Sequence, residues 1–152
     1  NILINAIAAA KAMDNQEIKI ACLAAKEKVN NKMQATLDGD KLKQMGQEGF
    51  FGENVLVEGP IAFDLAVSKY AAEIKGFNSP VAGEADILLV PTIEVGNGIG
   101  KTLSYFGNAK SAGVIMGAKA PVVLVSRADD AETKLNSIAL GSIIAAAKQN
   151  ET

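Results

Sequence analysis

The order of apolar and polar positions divides the chain into alternating segments. In NILINAIAAAKAM (1–13), Leu3, Ile7 and Ala10 recur three and four apart, one face of a helix. IKIACLA (18–24) is apolar at every position except Lys19, the pattern of a strand buried on both faces. ATLDGDKLKQM (35–45) reads as a helix that Thr36 or Asp38 caps. NVLVEG (54–59) and ADILLVP (85–91) read as strands, with the helical IAFDLAVSKYAAEI (61–74) between them. A glycine turn follows, then a helix over IGKTLSYFGNAKSA (99–112). GVIMGA and PVVLVS read as two short strands split by Lys119 and Pro121. DAETKLNSIALGSIIAAA (130–147) closes the series as a helix, with Leu135, Ile138, Ala139, Ser142 and Ala146 on one stripe.

Strands alternating with helices predict an α/β fold, a mostly parallel sheet in three layers. Ligands of such sheets sit beyond the carboxyl ends of the strands. That rule puts Glu58-Gly59-Pro60, the run from Pro91 to Lys101, and Ser126-Arg127 along one edge.

Composition narrows the function classes. The 152 residues carry a net charge of −2 with no basic block, so neither nucleic acid nor a charged membrane surface is called for. No apolar run reaches the ~20 residues of a membrane span. The single cysteine, Cys22, cannot form an internal disulfide, and a cytoplasmic setting is expected. Histidine is absent, so a general base in this chain must be a carboxylate, and no histidine-based metal site is expected. The core must be built from small aliphatic side chains, since only 5% of residues are aromatic.

Three stretches could carry chemistry. VGNGIGKT (95–102) resembles a phosphate loop, but that loop needs four residues between its glycines and Gly96 leaves three before Gly100. Two readings stay open: Asn97 caps a helix with Lys101 solvated, or Gly96, Asn97 and Lys101 converge on an anion. SRAD (126–129) precedes the last helix. Ser126-x-x-Asp129 and Asp129-x-x-Glu132 both look like capping boxes. Arg127 is the chain's one arginine, and its planar fork suits phosphate or carboxylate. In SPVAGEAD (79–86) the expectation is a plain loop with Glu84 and Asp86 solvated, and Cys22 reads as a small core hydrophobe.

NKMQATLD, EGPIAFDLAVS, SPVAGEADILLVP, EVGNGIGKTLSYFGNAKSAGVIMGAKAPVVLVSRAD and SIAL together resemble the phosphate acetyl/butyryltransferases, and the butyryl branch most closely. The resemblance is collinear over nearly the whole chain. It implies the reaction of acyl-CoA with phosphate to give acyl phosphate and CoA, with a butyryl or another short or branched acyl group. It implies a two-domain fold like that of isocitrate and isopropylmalate dehydrogenases, and a homodimer. No tightly bound cofactor or metal is implied, CoA being a substrate.

By position, Ser126 and Arg127 match the family's catalytic pair, and Gly96, Asn97 and Lys101 match its G-N-x-x-x-K signature. The acetyl branch has an aspartate six residues after the arginine, where this chain has Thr133. Asp129, Asp130 and Glu132 are the carboxylates at hand, with Asp129 the first choice as base. The resemblance further implies that residues 1–125 are the family's second domain. Residues 126–152 then form a turn and helix packing partly on a first domain that would precede this chain. Three rivals are a phosphate-loop nucleotide-binding domain, a nicotinamide-dependent dehydrogenase using Asp129-Asp130 for a metal, and a non-catalytic piece that folds and dimerises.

Overall fold

The computed structural model describes residues 1–150. Backbone contacts form two compact units, one of Asn1–Asn15 with Asn97–Thr152 and one of Gln16–Gly96. This is a different partition from the one expected at residue 125, which concerns packing on sequence outside the chain.

The Gln16–Gly96 unit is built on three parallel strands, β1 (Ile18–Leu23), β2 (Val55–Ile61) and β3 (Ile87–Leu89), in the order β2-β1-β3. The central strand is the most apolar. Ile18, Ile20, Ala21, Cys22 and Leu23 are all buried, and only Lys19 reaches the surface in part. Burial on both faces is what a run without polar alternation requires. Between β1 and β2 lies α2 (Gln34–Gln47), and between β2 and β3 lie α3 (Phe63–Val67) and α4 (Lys69–Ile74). The single helix expected over 61–74 is thus broken at Ser68, whose extended backbone and hydroxyl, accepting the Ala71 N–H at 3.2 Å, begin a second helix.

Neither Thr36 nor Asp38 caps α2. The helix starts earlier, after Met33, and has no side-chain cap. Thr36 is fully buried inside its first turn. Its hydroxyl accepts the Asn30 N–H at 2.9 Å and faces the Met33 carbonyl at 2.8 Å, so it pins the preceding loop instead. Asp38 accepts from Gln34 at 2.8 Å on the helix surface.

The loop before β3 is also more than solvated residues. Glu84 pairs with Lys19 and Lys69, and these hydrogen bonds pull its carboxyl down to about 2. Asp86 accepts the Lys19 N–H at 2.8 Å. At Gly83 φ is +71°, and an added Cβ would lie 2.4 Å from the Lys69 nitrogen, so glycine is needed there.

In the other unit, α1 (Ile2–Ala12) turns Leu3, Ile7 and Ala10 inward and packs against α6 (Ala131–Asn150). β4 (Val114–Ile115) and β5 (Val122–Val123) pair antiparallel as a separate two-stranded sheet. The last two strands therefore do not extend the parallel sheet as expected, and SRAD follows a strand of the two-stranded sheet instead. The inward face of α6 is Ser137, Gly141 and Ile144. Gly141 lies so near Val123 that an added Cβ would come within 2.8 Å of its methyl. Ser137 accepts the Gly113 N–H at 2.9 Å and donates to the Thr133 carbonyl at 2.7 Å. The stripe of Leu135, Ile138, Ala139, Ser142 and Ala146 is exposed along its whole length. α5 (Ile93–Tyr105) runs across the division between the units.

Candidate functional site

The glycine-rich stretch is not a turn. Residues 95–102 lie inside α5, which begins at Ile93. The Thr92 hydroxyl stands 3.5 Å from the Val95 N–H at the helix start, and the Gly96 N–H donates to the Thr92 carbonyl at 3.2 Å. Backbone N–H groups used by the helical ladder cannot ring a phosphate, which removes the phosphate-loop reading. It also removes Asn97 as a cap, since Asn97 is the helix's fifth residue.

What the spacing gives instead is a helix face. Asn97 and Lys101 are four apart and hence neighbours, with Tyr105 one turn further on. All three are exposed, and the Lys101 ammonium lies 6.0 Å from the centre of the Tyr105 ring. Gly96 has a packing reason of its own, because a Cβ there would meet a Val90 methyl at 2.9 Å.

SRAD forms a tight turn. The Ser126 carbonyl accepts the Asp129 N–H at 3.1 Å, and the Ser126 N–H donates to Asp129 Oδ2 at 2.7 Å. Ser126 Oγ receives a long contact, 3.5 Å, from the Ala128 N–H, which leaves the hydroxyl hydrogen to donate outward. Arg127 stands at the corner, exposed, with no ion pair or side-chain hydrogen bond among the described residues.

The cap of α6 is neither Ser126 nor Asp129 but Asp130, whose carboxylate accepts the Thr133 N–H at 2.7 Å. That bond, with the Thr133 hydroxyl and the charge of Lys134, holds the Asp130 carboxyl below its ordinary value. Glu132 in the first turn pairs with Lys110 at 2.5 Å. The helix start thus already carries the carboxylates of Asp130 and Glu132, and Arg127 is the one cation within the turn itself. Of the two aspartates that a metal-dependent dehydrogenase would share, Asp130 is taken up by the cap of α6. No hydrogen bond or ion pair links SRAD to Asn97 or Lys101 among the described residues.

Sequence reasoning missed a partly buried ion pair in the middle of β2. Glu58 accepts from Lys43 at 2.7 Å and from the Gly59 N–H at 3.0 Å. The periodicity of α2 marks Lys43 only as a surface position, so its partner was not visible. Burial, followed by the charge of Glu58, pushes the Cys22 thiol up to about 12. Cys22 is thus no nucleophile at neutral pH. A surface cleft of about 330 Å³ near α4, lined among others by Lys69, Glu73, Phe77 and Asn78, contains none of the candidate residues.

This is the fold of the phosphotransacylases. The chain superposes on a branched-chain phosphotransacylase from Enterococcus faecalis V583 with a TM-score of 0.84 and 38% identity, over 94% of this chain and 52% of that one. Residues 1–142 match the model of the family described as phosphate acetyl/butaryl transferase, and the chain belongs to that family. It is 54% identical over 139 residues to a probable phosphate butyryltransferase of Bacillus subtilis (strain 168), covering 91% of this chain and 46% of that protein. It is 45% identical over 148 residues to a phosphate butyryltransferase of Clostridium acetobutylicum, covering 97% and 49%. The chain thus spans about half the length of the curated relatives it matches.

Proposed function

We propose that the protein containing this chain transfers an acyl group between CoA and phosphate, with butyryl or another short or branched acyl group as its substrate. Family membership supports the reaction class, and the names of the relatives support the acyl group. The observation that carries the residue assignment is Arg127, exposed at the corner of the Ser126–Asp129 turn and without an ion pair among the described residues.

In the direction of thioester formation, the CoA sulfur attacks the carbonyl carbon of the acyl phosphate. The thiol, with a pKa of roughly 8.5 like free cysteine, gives up its proton as the carbon–sulfur bond forms, and Asp129 accepts it. Asp129 is preferred because Asp130 is held charged as a cap and Glu132 is paired with Lys110. The carbonyl oxygen becomes negative, and the Ser126 hydroxyl donates to it. The carbon–oxygen bond to phosphate then breaks, with the leaving phosphate held by the fork of Arg127 and taking the proton from Asp129. Gly96, Asn97 and Lys101 are assigned to the substrate-binding face, with the amide and ammonium directed at phosphate or CoA.

The reading extends to the whole protein as a cytoplasmic homodimer, in which residues 126–152 pack partly on sequence that the relatives carry outside the match. Cys22 as an unpaired cysteine supports the reducing compartment. No helix among the described residues is long and apolar enough to cross a membrane.

The test is Arg127→Lys in the complete protein. Lysine keeps the charge and loses the planar fork. We expect kcat/KM for phosphate to fall about 10- to 100-fold, the worth of a charge-assisted hydrogen bond, with an unchanged melting temperature. A variant with wild-type kcat and phosphate KM would take Arg127 out of the site.

A further inference from the structure

Three lysines, Lys26, Lys28 and Lys32, lie in the connection from β1 to α2. β1 is the middle strand of the order β2-β1-β3, and both its pairings are parallel. The chain therefore leaves β1 toward one neighbour and later returns past it to the other. Parallel crossovers are right-handed, so the two connections cover opposite faces of the sheet. The connections part at the carboxyl ends of β1 and β3, and this is where open α/β sheets of that strand order hold their ligands. The residues at that place are 24–33 on the β1 side and Val90–Thr92 on the β3 side.

Charge separates the two sides. Lys28 and Lys32 are exposed and Lys26 is half-buried, and none of the three has an ion pair among the described residues. Four other lysines of the same unit, Lys19, Lys43, Lys69 and Lys75, are each paired with a carboxylate. The one acidic residue in the loop, Glu27, lies near enough to Lys75 to favour its charged form. On the β3 side the carboxyl of Glu94 is held below its ordinary value by its own backbone N–H and by the Thr92 hydroxyl. The anion-attracting side is therefore the lysine loop.

The loop is also fixed in place. Besides the bonds of Thr36, the Asn30 carbonyl accepts the Met33 N–H at 2.8 Å, and the Asn30 side chain accepts the Lys32 N–H at 2.9 Å. A loop already ordered loses little entropy when a ligand arrives. Lys28 and Lys32 are separated by at most about 14 Å of extended chain, a reach that suits several phosphates better than one compact anion.

We propose that this loop binds the phosphates of a nucleotide, and specifically those on the adenosine end of CoA. The identity of the nucleotide rests on the acyl-transfer reading, whereas the recognition of its phosphates does not.

The experiment compares the complete wild-type protein with the variant K26E/K28E/K32E, its neutral counterpart K26Q/K28Q/K32Q, and the control Lys119→Glu. Four quantities are measured: KM for CoA, KM for inorganic phosphate, kcat, and calorimetric binding of adenosine 3′,5′-bisphosphate. We expect the triple variants to raise the CoA KM at least about tenfold and to lose the bisphosphate, with phosphate KM and kcat within about twofold of wild type. The neutral variant keeps the test valid should the charge-reversed one fail to fold. An unchanged CoA KM and unchanged bisphosphate binding in the neutral variant would overturn the proposal and leave acyl transfer standing. A wild-type protein without transferase activity that binds the bisphosphate through these lysines would overturn acyl transfer and leave the phosphate site standing.

Discussion

Asp129 and Asp130 are adjacent and chemically identical, and their neighbours give them different work. Asp130 accepts a backbone N–H at the start of a 20-residue helix, and its pKa is lowered by that bond first. A depressed carboxyl stabilises the fold above its unfolded pKa, near the ordinary 3.8, and loses that contribution as pH falls through the lower folded value. Asp129 is half-buried and tied to the backbone of the serine it would serve. We expect Asp130→Ala to lower the melting temperature at pH 7, with a smaller loss at pH 3, and to leave kcat unaltered. Asp129→Asn should cut kcat by about 10²- to 10⁴-fold, the usual worth of a general base, with little change in melting. The reverse pattern in the two variants would exchange their roles. The spacing S-R-A-D was legible as a local capping pattern, and it closes as a turn in which Asp129 Oδ2 accepts the Ser126 N–H. It did not show which aspartate caps, since a shift of one residue in the helix start reverses the assignment.

α5 shows where local propensity misled. Three glycines in five residues read as a turn, and each costs a helix roughly 1 kcal/mol against alanine. The helix forms nonetheless, and none of its residues is buried. Gly96 is required by its closeness to Val90, which periodicity could not reveal because the contact is with the end of the preceding strand. Gly98 and Gly100 have open space where a Cβ would go, so nothing in the chain's own packing demands them. We expect Gly98→Ala and Gly100→Ala each to stabilise the protein by about 0.5–1 kcal/mol in denaturant titrations, while Gly96→Ala destabilises it. If Gly98→Ala proved destabilising, the helix assignment for this stretch would be in error. The other strands and helices were legible wherever burial was two-sided or strongly periodic, as in β1 and α1. The break at Ser68 was not, because the apolar rhythm of 61–74 continues across it and only the serine's backbone and hydroxyl mark the new helix start.

At the scale of the molecule, the faces of α6 present a conflict that the chain alone does not resolve. Its inward face is small, Ser137, Gly141 and Ile144, while Leu135 and Ile138 are 66% and 56% exposed. The periodicity identified that outer stripe correctly as apolar and continuous, but it could not say what the stripe meets. An apolar helix face of this length in water favours association. The relatives are about twice as long as this chain, so the occupant we propose is the remainder of the polypeptide. That choice predicts opposite signs in two contexts. In residues 1–152 expressed alone, L135E/I138E should reduce self-association, seen as a smaller mass by light scattering, with little loss of stability. In the complete protein the same two substitutions place charges in a packed interface and should cost on the order of 3 kcal/mol or more, seen as a lowered denaturant midpoint and poorer soluble yield. Equal and small effects in both contexts would mean that the stripe faces solvent throughout.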